Sequence, residues 1–407
     1  MRRSIVGLLA STVCTATAAT AGVTALGKQV FDLTGRELDL GWLGLAEFAP
    51  AALLVFVTGP VADRHDRRRV VAGAASLEAV AALGLAAYAA SDPSSVWPVF
   101  ALVVAFGTFR AFVAPAARAL PADIVAAGDL PHLVARFSIA WQASLIIGPV
   151  LAGFLYAVDP ALPYVAMAGL LLAGAASTLL IERPAPVAIH HDDPGATSLR
   201  AAFEGLRFIR ARPLLLGAIS LDLFAVLFGG AVALLPAIAE ERLGVGAVGL
   251  GWLRASVGIG AALTTFVLAI RPRQRNIGRT LLVVVVLFGL FTILLGMTRS
   301  YLVAFVALAA LSGADAVSVF IRATLVPLLT PDDRRGRVLA VENVFIGASN
   351  ELGAFESGMV GQWLGAPAAI VTGGIATIGV AAVWWMKFPA LRSLDGFPSR
   401  PEVVSRT

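Results

Sequence analysis

The chain has 407 residues, of which 58% are hydrophobic and only 14% are charged. Soluble domains carry about 25% charged residues, and a soluble chain could not cover its surface with so few of them. This composition excludes an ordinary soluble protein and indicates that lipid surrounds most of the chain. At about 20 residues per membrane-spanning helix, the length allows about a dozen spans.

Apolar runs of helical length follow one another along the whole chain. They do not alternate polar and apolar residues, so they predict membrane helices and not barrel strands. We therefore predict an all-α integral membrane protein with twelve transmembrane helices in two six-helix halves. The predicted spans are 5–31, 41–59, 69–90, 97–118, 133–156, 161–181, 213–236, 246–270, 278–298, 301–328, 338–363 and 367–388.

A polar stretch with three prolines, ERPAPVAIHHDDPGATS, separates the sixth span from the seventh. The next residues, SLRAAFEGLRFIRARP, have apolar residues at roughly helical spacing and predict an amphipathic helix at the cytoplasmic surface. We expect an N-terminal half at 1–182, a cytoplasmic linker at 183–212, a C-terminal half at 213–390 and a cytoplasmic tail at 391–407.

The two halves also resemble each other. RALPADIVAAGDLPHLVARFSIAW in the first half and RATLVPLLTPDDRRGRVLAVENVF in the second each run from one helix through a polar turn into the next. Together with the equal helix count, this similarity predicts a duplicated six-helix unit with pseudo-symmetry, as in many secondary transporters.

The basic residues are distributed unevenly between the two sides of this predicted topology. If the N-terminus is cytoplasmic, most of the 31 Lys and Arg residues lie in cytoplasmic segments, whereas the opposite face carries Arg36, Arg242 and Arg299. This bias favours a cytoplasmic location for both termini. It also explains the net charge of +5 without a nucleic acid partner.

The segment 59–69, GPVADRHDRRR, is a charged stretch between the second and third spans. Its pattern, a Gly followed four residues later by Asp, then by Arg and further basic residues, resembles the major facilitator superfamily signature at this place. The matching residues are Gly59, Asp63, Arg64, Arg67 and Arg68. Two positions depart from the pattern: Val61 replaces the usual Leu, and Asp66 replaces a Gly, which puts the local turn geometry in question.

Three longer stretches resemble a narrower branch of the superfamily, the one that contains the enterobactin exporter. They are FDLTGRELDLGWLGLAEFAPAALL, LDLFAVLFGGAVALLP and RGRVLAVENVFIGASNELGAFESG. The resemblance covers nearly the whole chain. It implies a multi-pass monomer in the bacterial cytoplasmic (inner) membrane.

The fifth span contains LIIGPVLAG, in which Gly148, Pro149 and Gly153 resemble the Gly-Pro element of superfamily exporters. Small residues permit close helix approach, and Pro removes a backbone hydrogen bond and bends a helix. The alternative interpretation is plain packing, because small residues are abundant in this chain.

The resemblance also implies a role for the charged stretch between the second and third spans. Asp63 is expected to approach the N-terminus of the eleventh span, whose helix dipole favours an anion. Arg67 is expected to approach Asp123, just after the fourth span. With Gly59, Arg64 and Arg68, these residues would form a conformational latch; the alternative is a solvated charged loop.

Charges within membrane spans cost several kcal/mol unless they are paired or hydrated, so they are functional candidates. For proton coupling we predict Glu47, Asp222, Asp315 and Glu351. For the substrate cavity we predict Gln29, Arg110, Trp141, Gln142, Arg322 and Asn350. Structural ion pairing between helices is the alternative role for the charged members of both groups.

These features predict a proton-coupled exporter of a small molecule, siderophore-like or lipophilic, that works by alternating access. A multidrug efflux pump, an uptake permease and a non-transporting membrane sensor remain alternatives. No enzymatic site stands out, so we predict neither enzymatic activity nor a cofactor. The sequence has no phosphate-cradling Gly-Lys loop, so we expect no coupling to ATP. His190, His191, Asp192 and Asp193 are residue types that bind metals, but we interpret this stretch as linker and predict no metal.

Overall fold

The computed structural model describes residues 2–125, 128–182, 199–272 and 274–398, without the side chains of residues 2, 56, 63, 122 and 199–202. This part of the chain is almost wholly helical and contains no strand. The histidine and aspartate residues at 190–193 lie outside the described residues.

Six long helices precede the linker, and one shorter helix begins within it. The bounds are α1 (Arg2–Thr34), α2 (Glu37–Arg64), α3 (Arg67–Ala89), α4 (Trp97–Ile124), α5 (Leu130–Val158), α6 (Leu162–Leu179) and the amphipathic α7 (Leu199–Arg210). Several of these helices extend a few residues beyond the predicted spans. The extensions carry charged side chains such as Arg64 and Arg67, which lie outside the apolar runs that the prediction detects.

The second half contains six further long helical segments, the first of which is interrupted and includes α8 and α9, and one short helix at the end. The bounds are α8 (Pro213–Phe228), α9 (Leu235–Ala237), α10 (Gly246–Ile270), α11 (Ile277–Met297), α12 (Tyr301–Leu329), α13 (Asp332–Leu364), α14 (Ala366–Lys387) and the short α15 (Pro389–Arg392). A 3₁₀ turn at Gly230–Leu234 and a π-helical turn at Ile238–Arg242 flank α9. The seventh span therefore consists of α8, α9 and these two turns.

The seventh span was expected to be one continuous helix, and this expectation was wrong. The helix stops at Gly229 and Gly230, where neighbouring groups come very close. A methyl group on Gly230 would lie 2.4 Å from the carbonyl oxygen of Gly353, and one on Gly229 would lie 2.5 Å from the Phe288 ring. Glycine is required there for close packing, and the chain continues in irregular helical turns.

Eleven helical segments of the described residues are long and apolar enough to cross a membrane. The remaining long helix, α13, has 33 residues, which is ample length for a span. It is less apolar because it carries Glu342, Glu351 and Glu356 along its length. With α13, the predicted all-α fold of twelve membrane helices, six on each side of the linker, is confirmed.

The chain forms two compact units. The first comprises Met1–His190 with Val232–Gly258, and the second comprises His191–Ala231 with Ile259–Thr407. In the first unit, α1 packs on α5 and α6, and α3 packs on α4 and α6. In the second unit, α11 packs on α12 and α14, and α13 packs on α7, α8 and α14. The unit boundary crosses α10, so the first unit includes the beginning of that helix.

Candidate functional site

A buried ion pair joins two helices of the second unit. The Arg322 Nη2 atom on α12 lies 2.6 Å from Oδ1 of Asp222 on α8, and its Nη1 atom lies 3.7 Å from Oε1 of Glu342 on α13. Arg322 is 4% exposed and Asp222 is 5% exposed. One guanidinium is therefore shared by carboxylates from two other helices in an environment that excludes water.

Apolar packing keeps this pair dry. Leu221 beside Asp222, and Ile321 and Leu325 on α12, are fully buried in one hydrophobic cluster with residues of α11 and α14. Charges attract more strongly in such surroundings than in water, but they also lose their hydration. The Arg322–Asp222 pair is therefore favourable only while each buried charge keeps its partner.

Asp315 is a third carboxylate close to this pair. It lies two helical turns before Arg322 on α12, and with Asp222 and Ser318 it lines a small cavity. The volume available to a water centre is about 10 Å³, which is room for about one water molecule. Within the described part of the chain, the Asp315 carboxylate has neither a hydrogen-bond nor an ion-pair partner.

The charges in this cluster do not balance. Asp222, Asp315 and Glu342 supply three carboxylates, and Arg322 supplies one cation. An uncompensated charge in apolar surroundings costs several kcal/mol. Among the described residues, no group of three or more His, Cys, Asp or Glu is arranged to hold a metal ion.

The structure thus brings together Asp222 and Asp315, which were predicted for proton coupling, with Arg322, which was predicted for the substrate cavity. Arg322 was predicted to face the substrate. Its guanidinium instead faces Asp222 and Glu342. Sequence reasoning missed Glu342, although this carboxylate lies within the predicted span 338–363. The rule that in-span charges are candidates would have found it.

Two other residues predicted for proton coupling lie elsewhere. Glu47 on α2 has its Oε1 atom 3.9 Å from Nε of Arg110 on α4, and both side chains are partly exposed. Gly107 permits this approach, since a methyl group there would lie 2.3 Å from the carbonyl oxygen of Glu47. Glu351 is partly buried on α13.

The remaining residues predicted for the substrate cavity differ in exposure. Gln29 on α1 is buried, and its Oε1 atom accepts a 2.6 Å hydrogen bond from the Tyr164 hydroxyl. Trp141 on α5 is 41% exposed, and Gln142 beside it is partly buried. Asn350 on α13 is exposed and donates to the Ile346 carbonyl within its own helix.

The charged stretch 59–69, which covers the end of α2 and the start of α3, is tied to other parts of the first unit. Nη1 of Arg67 lies 2.9 Å from both carboxylate oxygens of Asp123 at the end of α4. Arg68 donates to the carbonyl of Ile181, just after α6. Arg64 is exposed. Gly59 has open space around its Cα, and the Asp63 side chain lies outside the described residues.

Asp66, which replaces a glycine in the superfamily pattern, caps α3. Its φ of −60° is accessible to any residue, so no glycine is needed at this turn. Its carboxylate accepts hydrogen bonds from the Arg68 backbone N–H at 3.1 Å and from the Arg68 guanidinium. The Arg68 guanidinium holds the pKa of Asp66 below its ordinary value of 3.8. The departure from the pattern supplies a helix cap.

The Gly-Pro element of α5 is a packing surface for two helices. A methyl group on Gly148 would lie 2.0 Å from Oγ1 of Thr20 on α1. One on Gly153 would lie 3.1 Å from the Cα of Gly251 on α10. Gly251 in turn faces the carbonyl of Pro149, and a methyl group there would lie 2.6 Å from that oxygen.

A second ion cluster lies in the first unit and joins α1 to the π-helical turn that follows α9. Lys28 pairs with Asp32 one turn later on α1 and lies 2.9 Å from Oε2 of Glu240. The Tyr156 hydroxyl donates a 2.8 Å hydrogen bond to Asp32. Lys28 lies within the predicted first span and Asp32 just beyond its end, but Glu240 lies beyond the predicted seventh span, so only the structure connects them.

Comparison with known proteins identifies a matching family. The family described as "Transmembrane secretion effector" matches residues 24–405. The Enterobactin exporter EntS of Escherichia coli O1:K1 / APEC is 25% identical over 354 residues, which make up 86% of this chain and 83% of that protein.

Solved structures show the same fold at low sequence identity. A bacterial homolog of the human lysosomal transporter Spinster, inward-facing and occupied, has a TM-score of 0.68 at 15% identity, with 95% of each chain covered. The nucleoside transporter NupG has a TM-score of 0.70 at 15% identity, with 97% of this chain and 100% of that chain covered. The chain therefore belongs to the transmembrane secretion effector family, and it is a membrane transporter of the major facilitator superfamily.

Proposed function

We propose that this transporter exports a small molecule in exchange for protons. The observation that carries the proposal is the cluster in which Asp222 and Glu342 share the single guanidinium of Arg322, while the partly buried Asp315 lines the adjacent cavity without a partner among the described residues. With every group ionised, the cluster would hold a net charge of about −2 in largely apolar surroundings, which is costly. Binding a proton relieves this cost, and hydrating the cluster restores the charged form.

Within the cluster, Asp315 is the proposed site of proton exchange. Asp222 is held by a 2.6 Å contact with Arg322, so its negative charge is compensated. Asp315 has no such contact among the described residues and borders the small cavity. A water molecule in that cavity would give its carboxyl group a route for proton transfer. Glu342 is the third carboxylate that influences this equilibrium, and Glu47 and Glu351 stay as further candidates.

A siderophore-like compound is the substrate that we propose. The similarity to the Enterobactin exporter EntS, over 86% of this chain, favours this class. Arg110 and the exposed Trp141 would suit an aromatic anion through charge and stacking, and Gln29, Gln142 and Asn350 would contribute polar contacts. Multidrug efflux is the second candidate, because the same residue types would also accept a lipophilic compound.

Alternating access would require contacts that form and break during the cycle. We propose that the halves 1–182 and 213–390 move about the linker 183–212. Arg67, Asp123 and the rest of the predicted latch would act on one side of the membrane, and the Lys28–Glu240 pair on the other. By the positive-inside rule, both termini and the tail at 391–407 would face the cytoplasm of a bacterial cell. The working form would be a monomer.

Transport by purified protein in liposomes tests this proposal. A catecholate siderophore and a lipophilic dye would be loaded in turn, and their movement followed with and without an imposed pH gradient. We expect transport to depend on the gradient. Asp315→Asn should abolish that dependence, whereas Asp92→Asn, at an exposed turn, should leave it intact.

The outcomes separate the alternatives. Equal rates with and without a pH gradient, unchanged in Asp315→Asn, would refute proton coupling. Gradient-driven movement in the opposite direction would indicate an uptake permease. No movement of either compound would favour a sensor. Faster transport of the dye than of the siderophore would favour multidrug efflux.

A further inference from the structure

A cavity in the second unit, away from the buried ion cluster, lies between the amphipathic α7 and the first turns of α13. Its volume is about 480 Å³. Arginine side chains dominate its wall. The charged lining residues are Arg207, Arg212, Arg334 and Arg337, with Glu204 and Asp333.

The charges on this wall leave a positive excess. Arg337 is paired with Glu204 at 2.8 Å, and Arg334 lies 3.5 Å from Asp333. Arg207 and Arg212 have no carboxylate partner in the part of the chain that the structure describes. Two exposed guanidinium groups in one concave site are therefore available to an anion from outside the chain.

Packing fixes the shape of the cavity. The Phe208 ring is buried, with the Arg212 guanidinium carbon 3.6 Å and that of Arg334 5.3 Å from the ring centroid. Stacking on a buried ring restricts where these two cations can lie. Gly205 permits α7 to approach α13, because a methyl group there would lie 2.8 Å from the carbonyl oxygen of Arg337.

The helix that forms one wall also presents an apolar group next to this charge. Phe208 and Ile209 face the protein and are buried, whereas Phe203 on the same helix is 68% exposed. A helix with basic residues and an exposed aromatic side chain is suited to a membrane surface, where cations meet headgroups and apolar groups meet acyl chains. A soluble anion would use the arginines and leave Phe203 in water.

We propose that this cavity binds the phosphate headgroup of an anionic phospholipid. Arg207 and Arg212 would contact the phosphate oxygens, and Phe203 would lie against an acyl chain. The bound lipid would anchor α7, and with it the linker, at the membrane surface. The proposal concerns a lipid ligand and does not depend on what the protein transports.

Lipid binding by the purified full-length protein in detergent tests it. The probes are phosphatidylglycerol, phosphatidylcholine and, as a soluble anion, glycerol phosphate. Native mass spectrometry reports the retained lipid, and thermal unfolding reports stabilisation. The variants are Arg207→Gln and Arg212→Gln. Arg210→Gln is the matched control, because Arg210 is an exposed arginine of the same helix that does not line the cavity.

We expect selective retention of phosphatidylglycerol, weakened about fivefold by each cavity variant and unchanged by the control. Equal weakening in Arg210→Gln would show that only the general surface charge matters and would overturn the proposal. Stabilisation by glycerol phosphate that matches phosphatidylglycerol would overturn it too, because the site would then take a soluble anion. Unchanged lipid retention in both cavity variants would also refute it.

Discussion

The guanidinium of Arg322 and the carboxylate of Asp222 form a 2.6 Å ion pair between α12 and α8, with both side chains almost completely buried. Glu342 approaches the same guanidinium from α13 at 3.7 Å. Asp315 lines the adjacent cavity without a pairing contact among the described residues. Removing the Asp222 carboxylate would therefore leave a buried cation with one longer contact, whereas removing the Asp315 carboxylate would break no ion pair.

We predict that Asp222→Asn destabilises the protein much more than Asp315→Asn does. Removing the charge of Asp222 leaves Arg322 buried with only the longer contact to Glu342, which should cost about 3 kcal/mol of unfolding free energy. Asp315→Asn removes no ion pair and should cost less than about 1 kcal/mol. Denaturant unfolding of both variants in detergent measures the difference.

Comparing the two variants separates an effect on stability from an effect on proton coupling. Asp315→Asn should retain near-native stability while losing its dependence on the pH gradient in liposomes. Equal destabilisation by the two substitutions would contradict the charge assignment within the cluster. A stable Asp315→Asn protein with unchanged coupling would place the proton site elsewhere, with Glu47 and Glu351 as the next candidates.

The contact between Arg67 and Asp123 leads to a second prediction, which concerns the stretch between α2 and α3. The side chains are partly buried, and one guanidinium nitrogen contacts both carboxylate oxygens at 2.9 Å. A double-mutant cycle with Arg67→Ala and Asp123→Ala should give a coupling energy of about 1 kcal/mol.

If the pair acts as a latch, each single substitution should also reduce the transport rate. The exchanged pair, Arg67→Asp with Asp123→Arg, should recover part of it. Arg69→Ala serves as the control, since Arg69 is an exposed arginine of the same stretch that is not part of the predicted latch. Normal transport by well-expressed Arg67→Ala protein would show that the contact is structural only.

Asp66 gives a prediction about stability and pH. As the cap of α3 it accepts the backbone N–H of Arg68, and Asp66→Ala should cost about 1 kcal/mol. The pKa of Asp66 is lowered by the Arg68 guanidinium, so the charged form is favoured in the folded state. This contribution is fully present above the unfolded pKa and is lost as the pH falls through the folded pKa.

Unfolding measured between pH 3 and pH 8 checks the sign. The stability difference between the native protein and Asp66→Ala should stay constant above about pH 5 and shrink below about pH 4. Asp66→Asn is the matched variant, because an Asn side chain can still cap the helix without the charge. A difference that grows at acid pH would contradict the capping arrangement.

The Gly-Pro element of α5 provides a prediction about packing. Gly148→Ala places a methyl group 2.0 Å from Thr20 Oγ1, so α1 and α5 must separate or Thr20 must give up its hydrogen bond to the Ser144 carbonyl. Overpacking of this kind costs about 1–3 kcal/mol. Gly169→Ala on α6 is the control, because that position has open space around it.

Thermal unfolding of the two glycine variants, with transport assayed in parallel, checks this prediction. Gly148→Ala should unfold at a lower temperature, whereas Gly169→Ala should be unchanged or slightly more stable because alanine favours a helix. Equal unfolding temperatures would mean that the α1–α5 contact tolerates a methyl group. Reduced transport without reduced stability would support the exporter role of the element.

The helices could be located from the sequence because their signal is local. Long apolar runs in lipid must satisfy their backbone hydrogen bonds internally, which favours helices. This requirement predicted all twelve membrane helices. The break in the seventh span at Gly229 and Gly230 could not be predicted from such a local signal. It depends on Gly353 and Phe288, which are distant in the chain and become neighbours only in the folded unit.

Charges within apolar runs are unusual, so Asp222, Asp315 and Arg322 could be recognised as candidates from their positions in the chain. The sequence could not pair Arg322 with Asp222, recognise Glu342 as the second partner, or connect Lys28 to Glu240. These contacts, like the cap that Asp66 forms on α3, are set by how the helices pack in the folded protein. A charge within an apolar run is a property of one segment, whereas an ion pair depends on distances of a few ångströms between different segments.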